Sequence, residues 1–119
     1  MSNKIELTDN LIRITYGGDQ TVETIANLER DVVALADKLK SDGKPVLYVV
    51  DIDHIGKLTS SARMRAVKFV KEAEYDKIAT FGGSTFMQSM NNLLIRGLQK
   101  SHKLGYFKTE AEALQWLRK

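Results

Sequence analysis

A chain of 119 residues, with 43% hydrophobic and 28% charged side chains and a single proline, is long enough for one core and too short for two. It is also too apolar to stay disordered, and its lack of cysteine excludes disulfides and thiolate metal sites. The net charge of +3 is unevenly placed: residues 1–43 carry five Lys/Arg against eight Asp/Glu, and residues 44–119 carry thirteen against seven.

A basic second half attracts anions in general. No Lys/Arg tract with interleaved aromatics occurs, so nucleic-acid binding is not expected. Met1-Ser2-Asn3-Lys4 lacks the apolar region of a signal peptide. Apolar runs such as Val46–Val50 fall far short of the roughly 20 residues that span a bilayer. The expectation is a cytoplasmic protein with no membrane span.

No repeat, low-complexity tract or linker is visible, so residues 1–119 are read as a single domain. Lys4–Leu7 and Leu11–Tyr16 alternate apolar and polar residues around Thr8-Asp9-Asn10, which predicts a β-hairpin. Tyr16-Gly17-Gly18-Asp19 is read as the break after it. From Thr21 to Ser41 the period changes to three and four. Ile25, Leu28, Val32, Leu35, Ala36 and Leu39 share a helical face, Asp19 or Thr21 caps its start, and Gly43-Lys44-Pro45 ends it. Val46–Val50 is an unbroken β-branched and aromatic run, as in a strand buried on both faces at a sheet centre. A helix follows over about Ala62–Glu74, with Ala62, Ala66, Val67, Val70 and Ala73 inward, then a strand at Lys77–Phe81. Gly82-Gly83-Ser84 turns the chain into a third helix over about Thr85–Lys100, and Leu104–Phe107 is a short last strand. Thr109-Glu110-Ala111-Glu112 reads as a capping box opening a fourth helix, with Glu112 reaching back to the Thr109 amide. The order β-β-α-β-α-β-α-β-α predicts an α/β fold, with a mostly parallel sheet and right-handed crossovers.

In such sheets ligands sit beyond the carboxyl ends of the strands, here the segment from Asp51 to Ser61 and the Gly82–Ser84 turn. Asp51, Asp53 and His54 follow the buried run, and Thr59, Ser60 and Ser61 stand at a helix start. A phosphoryl group on Ser60 or Ser61 would meet unsatisfied amides and the positive end of the helix dipole. On the plainer alternative the hydroxyls cap the helix and the aspartates solvate a loop.

This segment resembles the STAS domains of anti-sigma-factor antagonists, the SpoIIAA-like group. Their pattern is a strand ending in Asp, a short loop, and Asp-Ser-Ser/Thr-Gly opening a helix. Asp51 takes the place of the strand-end Asp, and Thr59-Ser60-Ser61-Ala62 the place of the four-residue motif. The resemblance covers nearly the whole chain. The closing Phe107–Leu117 stretch is similar to the branch related to the lipid-carrying SEC14 fold. It implies a SpoIIAA-like fold, a non-catalytic regulatory role, a protein partner, and phosphorylation at Ser60 or, with a one-residue slip, Ser61. Thr59 stands where the family has an acid, and Ala62-Arg63 where it has Gly-Leu.

Two further features are candidates for binding. Gly82-Gly83-Ser84 could aim amides at an anion, though it has no P-loop ending, and a plain tight turn capped by Ser84 is the alternative. In the third helix Met87 and Ile95 fall off the core stripe and offer a patch for self-association, partner docking or acyl chains, so a homodimer is one expectation. No Gly-x-Ser-x-Gly elbow occurs, and neighbouring Asp53 and His54 point apart on an extended chain. No enzyme activity, cofactor or metal is expected. The main reading is a protein-binding module whose surface is Asp51, Asp53, His54, Thr59, Arg63, Gly82, Gly83, Ser84 and Met87. The second is a carrier of a lipid or other small apolar anionic ligand held between sheet and helices.

Overall fold

The structure, a computed structural model, describes residues 2–84, Arg96 and residues 102–119. One five-stranded sheet has the order β1 (Lys4–Thr8), β2 (Leu11–Gln20), β3 (Leu47–Leu58), β4 (Lys77–Phe81), β5 (Leu104–Phe107). β1 pairs antiparallel with β2, and all other neighbours are parallel. The hairpin turn is Asp9-Asn10, and both residues have positive φ, 51° and 65°, as a two-residue turn compatible with strand twist requires.

Three helices are described: α1 (Val22–Ser41), α2 (Ser60–Glu72) and α3 (Glu110–Leu117). α1 buries Ile25, Leu28, Val32, Ala36 and Leu39 of the stripe its periodicity predicts, and the sixth member, Leu35, is only partly buried against the same core. It starts at a reciprocal cap between Thr21 and Thr24. It ends with the Lys44 amide on the Leu39 carbonyl at 2.9 Å and the Gly43 amide on that of Lys40 at 3.0 Å, a Schellman closure. The predicted helix over Thr85–Lys100 lies outside the described residues, apart from Arg96, which is helical.

β3 occupies the sheet centre, as its unbroken apolar run predicts. Tyr48, Val50 and Ile52 enter a core with α1 residues Leu28, Val32, Ala36 and Leu39, against which Phe69, Val70 and Ala73 from the α2 end also pack. Val49 enters a second, smaller core with Ala79, Phe81 and, from α3, Ala113 and Leu117. α1 and α2 thus share one face, as right-handed crossovers between adjacent parallel strands require, and α3 covers the other. Tyr48 makes edge contacts with both Phe69 and Tyr75 at 6.2 Å.

Four local expectations are corrected. Tyr16-Gly17-Gly18-Asp19 does not break β2, and β3 does not stop near Val50: the two strands run on together to Gln20 and Leu58. Register shifts between Thr15 and Gly17 and between Gly18 and Gln20 absorb the irregular spacing, so the pairing survives a segment whose sequence looks like loop. α2 begins at Ser60, not Ala62, because Thr59 is its cap. At α3 the Glu112 amide does donate to the Thr109 hydroxyl, but the Glu112 carboxylate accepts from that hydroxyl at 3.0 Å and not from the Thr109 amide.

Candidate functional site

The site is built by unequal strand lengths. β4 pairs with β3 only as far as Phe81 opposite Asp51, whereas β2 follows β3 to Leu58. Beyond Asp51 the β2–β3 pair is therefore a two-stranded arm projecting past the carboxyl end of β4. The Asp19 carboxylate holds the arm by accepting the Lys57 amide at 2.8 Å. Gly56 is needed there, because a Cβ at this position would run into the Asp19 side chain and press on the β2 backbone. Gln20 closes the arm. Its side chain is buried and fully used: the carbonyl accepts from Asn3 and Thr24, and the amide donates to Asn3 and to the carbonyls of Gly17 and Gly18.

The arm delivers the chain to α2. The Thr59 amide donates to the Gln20 backbone carbonyl at 3.2 Å, and the Thr59 hydroxyl accepts from the Ala62 amide at 3.1 Å. Thr59 therefore does the capping, and Ser60 and Ser61 stand exposed in the first turn with no hydroxyl partner among the described residues. That turn carries no acidic residue. Arg63, Arg65, Lys68 and Lys71 are exposed along α2 around Met64, which is 72% exposed. The helix presents a basic surface with one apolar knob.

Beside it lies a cleft of about 540 Å³, lined by Ile52, Asp53 and Ile55 to Leu58 of the arm, by Arg63, and by Gly83-Ser84. Of the residues singled out from sequence, it gathers Asp53, Arg63, Gly83 and Ser84. In the glycine turn two of the amides are already engaged within the protein. The Gly83 amide donates to the Asp53 carboxylate at 3.1 Å, the Gly82 amide to the Phe107 carbonyl at 3.3 Å, and the Tyr106 hydroxyl to the Gly82 carbonyl. Gly82, with a φ of 89°, lies so close to Asp53 that a Cβ would overlap its carboxylate.

Asp51 does not join them. It lies within β3 and not at its end, and its carboxylate accepts the Asp53 amide at 2.9 Å and faces Arg13 at 3.9 Å. Arg13 in turn pairs with Glu110 of α3 and lies over the Phe81 ring. This is a strut between sheet and α3. His54 is exposed on β3 opposite Gly17, and Met87 lies outside the described residues. Sequence reasoning missed Ile55, Lys57, Asp19 and Tyr106. Ile52, Ile55 and Leu58 recur every third residue, a spacing that fits neither a regular strand nor a long helix until the bulges are known.

Between the sheet, α1 and α2 there is also an apolar cavity of about 160 Å³. Glu29 and Tyr16 are among its lining residues, and burial followed by the Glu29 charge raises the Tyr16 phenol well above its ordinary pKa. Its size is close to that of an apolar cavity of about 150 Å³ that accommodates benzene.

The SpoIIAA-like family pattern matches residues 11–118. The chain belongs to the SpoIIAA-like family. No curated protein gives a significant match. Solved SpoIIAA-like folds align over almost the entire chain. An uncharacterised protein from Shewanella loihica with this fold is 17% identical, with a TM-score of 0.69 over 98% of this chain and 92% of that one. An anti-sigma factor antagonist from Mycobacterium paratuberculosis is 20% identical, with a TM-score of 0.66 over 99% and 94%. The anti-sigma factor antagonist SpoIIAA in its unphosphorylated form is 13% identical, with a TM-score of 0.62 over 98% of each chain. At these identities the likeness establishes the SpoIIAA-like fold. No described helix is long and apolar enough to cross a membrane.

Proposed function

We propose that this SpoIIAA-like chain is a non-catalytic regulatory module that binds a protein partner through the first turns of α2 and the neighbouring cleft. The observation that carries the reading is the exposed, uncapped pair Ser60 and Ser61 beside a basic helix face with Met64 at its centre. A partner that fits this surface is acidic, with a small apolar recess for Met64. The membership of two similar folds among anti-sigma factor antagonists supports a protein-binding role.

Phosphorylation of Ser60 or Ser61 is the switch in this reading. A phosphoryl group adds about −1.5 to −2 charges, and its oxygens would accept from free first-turn amides and from Arg63. The same charge cancels part of the positive surface an acidic partner needs. The modified form is then stable as a fold and poor as a binder.

A photocrosslinker at Met64 tests this in cells of the source organism. One reproducible adduct partner is expected, its yield falling about tenfold or more in Ser60→Asp or Ser61→Asp chains while a crosslinker at Val22 gives none. Peptide mass spectrometry of the native protein should find phosphate on one of the two serines. Equal adducts from both crosslinkers, or serines unmodified under every growth condition, would count against the reading.

A further inference from the structure

Among the described residues, the core on the α1–α2 side leaves a cavity. The cavity there is lined by apolar groups that include Ile14, Val50, Ile52 and Phe69, and at one side by Glu29 and Tyr16. One Glu29 oxygen, Oε1, accepts from Arg65 Nε at 3.0 Å. The other, Oε2, is shut off from solvent and has no hydrogen-bond partner among the described residues. A buried acceptor left without a donor is costly, and native structures rarely leave one so. Glu29 is among the residues that line a space about the size of the one known to take benzene.

We propose that this cavity is a binding site for a neutral, ring-sized apolar molecule carrying one O–H or N–H donor, which donates to Glu29 Oε2. The apolar walls take the body of the ligand. Arg65 already balances the Glu29 charge, so a cation is not needed, and the carboxylate repels an anion. The Tyr16 phenol stays protonated beside Glu29. The ligand class therefore differs from the lipid or apolar anion predicted from sequence, and the site does not include Ser60 or Ser61. It adds a small-molecule input to the module independently of the partner surface.

Phenol, benzene and benzoate are the probes, read by methyl resonances of the isotope-labelled full chain. Phenol should shift the Ile14, Ile25, Val50 and Ile52 methyls and bind about tenfold more tightly than benzene, the difference a hydrogen bond to a carboxylate makes. Benzoate should leave them unmoved. Glu29→Leu should bring phenol down to the affinity of benzene. Ala66→Leu, which puts an isobutyl group into the cavity from α2, should abolish the shifts with both ligands and raise Tm, so the test stands even where Glu29→Leu fails to fold. Equal binding of phenol and benzene by the native chain, no methyl shift at saturating phenol, or shifts that persist in Ala66→Leu would each overturn the proposal.

Discussion

Replacing Gly82 by alanine tests what Asp53 does in the site. Gly82 has a φ of 89°, and a Cβ there overlaps the Asp53 carboxylate. Two costs follow. Holding an L-residue in the left-handed region costs about 1–2 kcal/mol. The carboxylate must also swing away and give up the Gly83 amide it accepts at 3.1 Å. Because that pair is exposed, its loss is worth about 1 kcal/mol. Gly82→Ala should therefore destabilise the fold by about 2–3 kcal/mol, and Asp53→Ala by about 1. In the double variant the hydrogen bond is lost only once, so its cost should fall short of the sum of the two singles by about 1 kcal/mol. Urea unfolding followed by the single tryptophan, Trp116, which packs on Phe107, reads all four proteins. An additive cycle at constant m would show that Asp53 does not hold the turn, and the geometry assigned to the cleft would be wrong.

Thr59→Ala should cost about 1 kcal/mol through loss of the α2 cap, whereas Ser60→Ala and Ser61→Ala should stay within about 0.5 kcal/mol by chemical denaturation. Equal losses at all three positions would make the serines structural. Stability should also fall in alkali. Burial, then the Asp37 charge and Tyr75, push the Tyr48 phenol up to about 12, and Tyr16 and Tyr75 are raised as well. Unfolded tyrosines lose their proton near pH 10 and the folded ones later, so the stabilisation is whole below pH 10 and is lost as pH climbs toward 12. Tyr48→Phe should flatten that fall by up to about 1.4 kcal/mol per pH unit, and an unchanged slope would place Tyr48 in solvent.

What the sequence made legible depended on regular period. The α1 stripe, the central position of Val46–Val50, and the short strands Lys77–Phe81 and Leu104–Phe107 follow from apolar spacing and glycine punctuation, and the structure has them at those places. The arm was illegible because its two strands are bulged. Each reads as a break when taken alone, and only pairing one irregularity with the other makes a ladder. The cleft was half legible for the same reason. Asp53 and Arg63 were found by residue type, but Lys57 and Ile55 sit on backbone that looked like loop. The placement of Asp51 after the strand is corrected because β3 runs on past it, and its link to Arg13 in another strand and so to Glu110 in the last helix is not visible in local pattern.

Asp51 and Asp53 are two residues apart on one strand, yet one is a strut and the other a wall of the cleft. The side chains do not explain this; the end of the neighbouring strand does. At Asp51 the next strand still pairs with it through Phe81, so its carboxylate looks across closed sheet to Arg13. At Asp53 that strand has already turned at Gly82, and the carboxylate takes the turn's amide. The exposure of Ser60 and Ser61 is likewise set at a distance. Asn3 pairs with the buried Gln20 amide, the Gln20 carbonyl receives the Thr59 amide, and Thr59 caps α2. Gln20 thereby joins Asn3, held by its side chain, to the helix start, held by its backbone carbonyl. It follows that the start of α2, and with it the place of Ser60 and Ser61, is tied to the arm through the Gln20 backbone carbonyl and the Thr59 cap.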